Sequence, residues 1–374
     1  MGESIQKLTH IEHVLKRPDS YVGPVDLGSE LYWIHHKTDN KFKKKNVNYS
    51  PALLKIFDEI LVNAIDRNSV HSKSVTNISV NIDKEAGTIT IENNGPLGGI
   101  GVRMHEKEGI WNPELTFGHL LTSTNYDDTK KRIVGGRNGY GAKLTNIYSS
   151  EFSIVIKDGE TKQHYTQKWN NNMTVCHPPK IKKHSASTSS VSVTFIPDWR
   201  RFGMKNMDAA IYKIFEKRVW DANICTTSNC KVKFQGEVLP KTSFEAYAKM
   251  HEGVTNVCSV TTDRWSACIG PSENGLEQVS FVNGISTTKG GTHVDHVASY
   301  IASGIIDEMA KKIKLKPQQV KNTDDVEAVV IRVDVLQPAQ GDRPAPVVSD
   351  HDHVAAELEH VGERHQIVDA IAQP

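Results

Sequence analysis

The sequence predicts an α+β chain of more than one domain, and three observations carry that expectation. Residues 53–65 repeat apolar positions with a helical period. Thr88-Ile-Thr-Ile91 alternates as a half-buried strand does, and the turn residues Asn93-Asn94-Gly95-Pro96 end it. The chain has 374 residues, enough for two domains with separate cores.

The helix carries the first chemical signal. Glu59, Asn63 and Asp66 fall at i, i+4 and i+7, so they form one polar stripe on it. A stripe of carboxylate, amide and carboxylate on a mostly apolar helix is costly to bury unless something pairs with it. A hydrated cation with its phosphate, which takes hard oxygen ligands, is one such partner. An ordinary amphipathic helix with a solvated polar face fits the same residues.

The strand Thr88–Ile91 places Asn93 at its end, where an amide can meet a base edge; Asn-Asn-Gly is also simply a turn. Next comes Gly135-Gly-Arg-Asn-Gly-Tyr-Gly-Ala-Lys143-Leu, a glycine-rich turn running into an apolar stretch. Glycine lets backbone N–H groups come close to an anion. Lys143 can then reach a phosphate oxygen as a point charge. The spacing is not that of a P-loop, because Ala142 stands where that motif needs glycine and Leu144 follows the lysine. A hairpin turn with an exposed lysine remains the plain alternative.

Residues 185–196 read as a polar loop entering a strand. Strands are expected at Lys231-Val-Lys-Phe, Asn256-Val-Cys-Ser-Val, Trp265-Ser-Ala-Cys-Ile and Gln278-Val-Ser-Phe-Val-Asn283. Thr292 to Lys312 fits a long amphipathic helix. Apolar content of 38% and charged content of 24% are ordinary for a globular protein. The five cysteines show no metal or C-x-x-C spacing and read as reduced thiols. No run of 18 apolar residues exists, so no membrane-spanning helix is expected. The net charge of +1 hides a split: residues 323–374 carry −8 and residues 1–322 carry +9. A basic body suits a polyanionic partner. Lys41, Lys43, Lys44 and Lys45 read as a solvated loop. Lys311, Lys312, Lys314 and Lys316 follow the helical segment His296 to Ala310 as a second basic cluster, which plain solvation also explains.

Taken in order, these segments resemble the ATPase region of eukaryotic-type (type IIA) DNA topoisomerase II. That region belongs to the superfamily of gyrase, the ninety-kilodalton heat-shock chaperones, sensor histidine kinases and mismatch-repair ATPases. The resemblance also rests on His10-Ile-Glu-His-Val-Leu-Lys-Arg-Pro-Asp-Ser-Tyr-Val-Gly23, Phe57-Asp-Glu-Ile-Leu-Val-Asn63, Leu120-Leu-Thr-Ser-Thr-Asn-Tyr-Asp-Asp128 and Phe281-Val-Asn-Gly-Ile-Ser-Thr-Thr-Lys-Gly-Gly-Thr-His-Val-Asp295. It implies a two-layer α/β sandwich of the Bergerat type with an antiparallel-dominated sheet. A partial transducer domain with a βαβ-type core follows. The boundaries it suggests are an arm over 1–25, the ATP-binding domain over 26–230, the transducer over 231–322 and a divergent acidic tail over 323–374.

The resemblance also implies roles. Glu59 corresponds to the general base and Asn63 to the magnesium ligand. Asn93 corresponds to the residue that contacts the adenine or its bound water, and Ser123, Thr124 and Asn125 to the lid residues that meet the ribose and phosphates. Gly136, Arg137, Asn138, Gly139, Tyr140, Gly141, Ala142 and Lys143 form the phosphate loop, and the four lysines from Lys311 to Lys316 lie near DNA. ATP and Mg2+ are the implied ligands, DNA and a second copy of the chain the implied partners. The nucleus is the family's usual compartment, the mitochondrion the alternative.

The sequence departs from the family pattern in four places. No Gln-Thr-Lys, whose lysine touches the terminal phosphate in the family, follows Asn322, so hydrolysis is expected to be slow or absent. Ile5 precedes Gln6-Lys7 where many relatives carry a tyrosine in the arm. Gly95 to Val102 makes a longer loop than usual. No strand-cleaving region is present, so this chain alone is not expected to break DNA. A truncated, non-catalytic nucleotide-binding or dimerisation module is the other reading. In the tail, Val326 to Val335 can form a strand, Gln337 to Pro346 a linker, and Val354 to Ala372 a short acidic helix.

Overall fold

The structure, a computed structural model, describes residues 6–122, 134–135, 139–261, 266–272, 276–313 and 328–333. The chain divides into two compact units, Met1–His36 with Lys43–Lys241, and Lys37–Phe42 with Thr242–Pro374.

The first unit opens with α1 (His10–Lys16), where Thr9 and Glu12 cap each other's backbone reciprocally. A hairpin of β1 (Gly28–His36) and β2 (Lys41–Tyr49) follows. The lysine run read as a loop is therefore a strand. Phe42, Val47 and Tyr49 are its buried positions, and the lysines between them mask the alternation. Next, α2 (Pro51–Val70) starts at Ser50, whose hydroxyl accepts the Leu53 N–H at 3.3 Å. Pro51 sits in its first turn, where a missing N–H is harmless.

The strands β3 (Asn77–Asp83) and β4 (Thr88–Asn94) pair antiparallel. Then come α3 (Asn112–Gly118), α4 (Gly141–Ile147), β5 (Ser149–Asp158), β6 (Gln163–Asn170), β7 (Val175–Cys176), β8 (Lys180–Lys183) and β9 (Ser190–Pro197). The unit closes with α5 (Ala209–Ile224), β10 (Lys231–Phe234) and β11 (Glu237–Val238). Among the described residues, nine strands form one sheet in the order β11-β10-β3-β4-β9-β5-β6-β7, with β8 also beside β6. Every neighbouring pair is antiparallel except β10 with β3, as the resemblance implied.

One face of the sheet is apolar. Phe152, Ile154, Ile156, Ile89 and Ile91 alternate with less buried residues and are themselves buried. Helices α2 and α5 supply the facing layer, with Phe57 stacked on Phe215 at 4.1 Å between centroids. Ion pairs lie inside this layer. Arg218 Nε donates to Asp58 Oδ1 at 2.6 Å, and Lys217 Nζ to Asp221 Oδ1 at 2.5 Å. Burying these charges is tolerable only because each is paired.

The second unit holds α6 (Phe244–Ala248), β12 (Cys258–Thr261), β13 (Ser266–Pro271), β14 (Glu277–Val282), β15 (Ile285–Ser286), α7 (Thr292–Ile313) and β16 (Ala328–Val333). Five strands form its sheet in the order β12-β13-β16-β14-β15. The β14–β15 turn is Asn283-Gly284, with φ of 50° and 75°, the left-handed values a two-residue hairpin of this hand needs. Strands β14 and β16 run parallel, with α7 crossing between them, so they form a βαβ unit. The strand anticipated within Val326–Val335 is thus present as β16, in the middle of the second sheet, although it follows Asn322. The linker and acidic helix expected further along fall outside the described residues.

Candidate functional site

The polar stripe of α2 and the glycine-rich turn meet. The Glu59 carboxylate lies against the α-carbon of Gly141, the first residue of α4. A Cβ built there would stand 2.0 Å from Glu59 Oε2 and 2.9 Å from its Cδ. Only glycine leaves that space, so the acid and the turn are fitted to each other. Two bonds fix the approach. The Thr145 hydroxyl of α4 donates to the Ile56 carbonyl of α2 at 2.8 Å. The Gly135 N–H, at the start of the turn, donates to Asp66 Oδ1 at 2.9 Å.

The stripe is graded in exposure. Glu59 is half-buried, Asp66 buried and Asn63 exposed. Lys55, one turn before Glu59, donates from Nζ to Glu59 Oε1 at 2.6 Å. Sequence reasoning passes over Lys55, although its i, i+4 spacing from Glu59 is the signal for such a pair.

Lys143 departs from its expected place. It is 3% exposed, and its Nζ donates to the carbonyls of Thr122 at 2.6 Å and Gly139 at 2.5 Å. Its neighbours Ala142 and Leu144 are buried, which draws the lysine stem inward and leaves the ammonium to find carbonyls. Burial pushes its pKa down to about 8. The lysine thereby ties Thr122 to Gly139.

Asn93 is half-buried at the end of β4, and its Nδ2 donates to the Asn94 carbonyl at 3.1 Å. Asn94 does the structural work of the pair. Its Oδ1 accepts the N–H groups of Thr76 at 2.9 Å and Asn77 at 2.8 Å. Arg67 of α2 donates to the Pro96 carbonyl, which brings the turn after β4 to the same helix as Glu59. Gly139 and Tyr140 lead into α4, and the Tyr140 carbonyl accepts the Leu144 N–H at 2.8 Å.

Ser123, Thr124, Asn125, Gly136, Arg137 and Asn138 lie outside the described residues, as do Lys314 and Lys316. Lys311 and Lys312 fall within the last turns of α7.

Among known proteins, a family model described as DNA gyrase B matches residues 239–339. DNA topoisomerase 2 of Candida glabrata is 42% identical over 342 residues, covering 86% of this chain and 24% of that protein. DNA topoisomerase 2 of Arabidopsis thaliana is 41% identical, again over 86% of this chain and 22% of that protein. The chain therefore spans about a quarter of the length of the curated relatives it matches. The crystal structure of the ATPase region of Saccharomyces cerevisiae topoisomerase II is 36% identical, with a TM-score of 0.80, and covers 98% of this chain and 99% of that one. The ATPase and transducer domains of DNA topoisomerase II from Balamuthia mandrillaris are 34% identical with a TM-score of 0.81, over 98% and 96%. A gyrase B ATPase domain from Thermus thermophilus, 20% identical with a TM-score of 0.58, shares the fold. Both units thus find counterparts in solved structures of the same length and order, and the chain belongs to the type II DNA topoisomerase family, as its ATPase region.

Proposed function

We propose that this chain binds ATP with magnesium between α2 and the glycine turn, hydrolyses it with Glu59 as general base, slowly for want of the Gln-Thr-Lys lysine, and pairs with a second copy to close a gate on DNA. The observation that supports this most is the Glu59 carboxylate resting against the Gly141 α-carbon. A carboxylate able to accept a proton from water shares one space with a glycine of the turn, a residue type that lets backbone come close to an anion.

Lys55 holds one oxygen of Glu59 and so limits its rotation. Asn63, exposed one turn further along, offers an amide oxygen of the type a hard cation takes, and magnesium keeps most of its waters, so one protein ligand suffices. When bound, the ion supplies charge neutralisation at the phosphates. Asn93 reads the base edge, and Asp66 keeps the start of the turn in place through Gly135. By position in the motif, Ser123, Thr124 and Asn125 meet the ribose and phosphates, and Gly136 to Lys143 cradle the phosphate tail. DNA as partner follows from what the relatives' names say they act on, and Lys311, Lys312, Lys314 and Lys316 are the residues in this reading that approach it. The nucleus is the compartment that goes with it.

Glu59→Gln tests the reading, because it keeps shape and removes the base. A non-hydrolysable ATP analogue should bind the variant within about threefold of the parent, while turnover falls roughly 10²–10⁴-fold. Loss of binding along with turnover would make Glu59 a structural residue.

A further inference from the structure

We propose that the face of the nine-stranded sheet turned away from the helices, at its β5–β6–β8 end, docks the phosphate backbone of duplex DNA. The register assembles this face. Phe152, Ile154 and Ile156 of β5 are buried on the inner side, so Ser153, Val155 and Lys157 lie on the outer one. Lys157 pairs with His164 of β6, and His164 pairs with Lys182 of β8, which places three basic side chains in one row across three strands. At about 4.8 Å between strands, the row is about 10 Å long. Lys180 stands two residues from Lys182 on the same side, opposite Thr166. That step along a strand is about 6.7 Å, enough to reach separate phosphates of a duplex, whose charges recur about every 3.4 Å of helix axis on each strand.

The charge is uncompensated. Residues 157–184 hold six lysines and two carboxylates. Both carboxylates have other partners. Asp158 is buried and accepts the N–H groups of Val102, Glu160 and Thr161 at 2.8, 2.9 and 3.0 Å. Glu160 pairs with Arg103 at 2.5 Å. Of the six lysines, Lys168 alone has a carboxylate among the described residues, Glu151 at 2.6 Å. The pKa of His164 is lowered, first by burial and then by Lys157, His184 and Lys182, as expected inside a cationic field.

Lysines on an edge strand also serve to prevent strand addition. That explanation covers β8, but Lys157 lies two strands inside the edge, where it blocks nothing. The surroundings favour a phosphate backbone over a protein. The next strand continues the face with Ser190, Ser192 and Thr194, and the Thr194 hydroxyl is 3.0 Å from that of Thr90. Small hydroxyls beside lysines bond phosphate oxygens well, whereas among these described positions Val155 is the one apolar side chain and none is aromatic, which leaves little to anchor a protein partner. The surface is separate from the nucleotide site and does not depend on the reading of that site.

The test uses the full chain without nucleotide and a short labelled duplex, with anisotropy measured across salt concentrations. Replacing Lys157, Lys180 and Lys182 together by Gln should flatten the slope of log affinity against log salt by about 2.7, or about 0.9 per phosphate contact. The loss of affinity should be largest at low salt and equal for unrelated sequences. Binding of a non-hydrolysable ATP analogue should be unchanged, which also shows that the variant folds. The matching Lys→Arg variant should keep the parental slope. A triple Gln variant with the parental slope overturns the proposal. So does a parent chain without measurable duplex binding at about 50 mM salt. A parent that prefers polyglutamate to duplex, with only that preference lost in the variant, also overturns it.

Discussion

Gly141→Ala separates the placement of the acid from the stability of the fold. The added Cβ would sit 2.0 Å from Glu59 Oε2 and 2.9 Å from Cδ, but 3.4 Å from the Glu59 Cβ. The last distance is ordinary contact, so the helices have no need to part. The carboxylate must move instead, by about 1.4 Å to restore normal contact with Oε2. It is the far end of a flexible side chain, and its displacement costs little. Alanine is favoured over glycine by about 0.8–1.0 kcal/mol in a helix interior and by less at this first position, which offsets part of that cost. The net change in stability should therefore lie within about 1 kcal/mol, or 2–4 °C in Tm for a unit of this size. Turnover should suffer far more, because misplacing a catalytic group by about 1 Å can cost 10²-fold.

The assays are steady-state ATP turnover, binding of a fluorescent ATP analogue and thermal unfolding. We expect turnover to fall about 10²-fold, with binding and Tm nearly unchanged. Adding Gly141→Ala to Glu59→Gln should then cost nothing further in turnover, because the displaced group is already inactive. Parental turnover in the single variant would refute the reasoning. So would equal losses from Gly141→Ala in both backgrounds, since the glycine would then act through something other than Glu59.

Two further outcomes follow from buried charges. The pKa of Lys143 stands at about 8, lowered by burial, so its positive charge fades as pH rises through that value and not near the usual 10.5. If the charge assists an anion, nucleotide affinity should decline above about pH 8; Lys143→Arg, which stays protonated, should remove that decline, and a pH titration of analogue binding checks it. Arg218→Met should leave the Asp58 carboxylate buried and unpaired, which costs about 3–5 kcal/mol. Thermal unfolding should show a drop of roughly 10 °C, mostly recovered by adding Asp58→Leu; a drop under about 2 °C would show that the pair carries little.

Local pattern made some of this legible in the sequence and long-range pairing hid the rest. The apolar period of α2 and the stripe of Glu59, Asn63 and Asp66 are properties of neighbours, and they hold in the structure. The glycine turn was visible too, since Gly141 is demanded by close approach. Lys143 is not decided by its neighbours in sequence, because a lysine after glycines reads the same whether it faces an anion or meets carbonyls, as its Nζ does here with those of Thr122 and Gly139. The Lys41–Lys45 run was read from its charge, while strand pairing follows from Phe42, Val47 and Tyr49. Asn93 and Asn94 are indistinguishable as letters; which one clamps Thr76 and Asn77 depends on a strand that lies 17 and 18 residues earlier. Strand β16 becomes a certain element only when β13 and β14 flank it.

The same distance effect explains why α2 can hold its acid in place. Asp58 and Glu59 are adjacent, so on a helix they point about 100° apart. Asp58 is tied to Arg218, 160 residues along the chain, by a bond of 2.6 Å inside the helical layer. A charge buried there has no second position of comparable energy, because rotating α2 would separate the ions in a poorly solvated interior. Fixing Asp58 therefore adds to the buried Leu53, Phe57, Ile60 and Leu61 in setting the azimuth of the helix, and with it the direction in which Glu59, Asn63 and Asp66 face. Lys55 and Gly141 then need only set the last torsions of one side chain. On this view the buried pair contributes positional specificity to the site, and the double variant Asp58→Leu, Arg218→Met is the informative one. It should recover stability while α2 gains rotational freedom, so turnover should remain depressed even where the melting temperature returns.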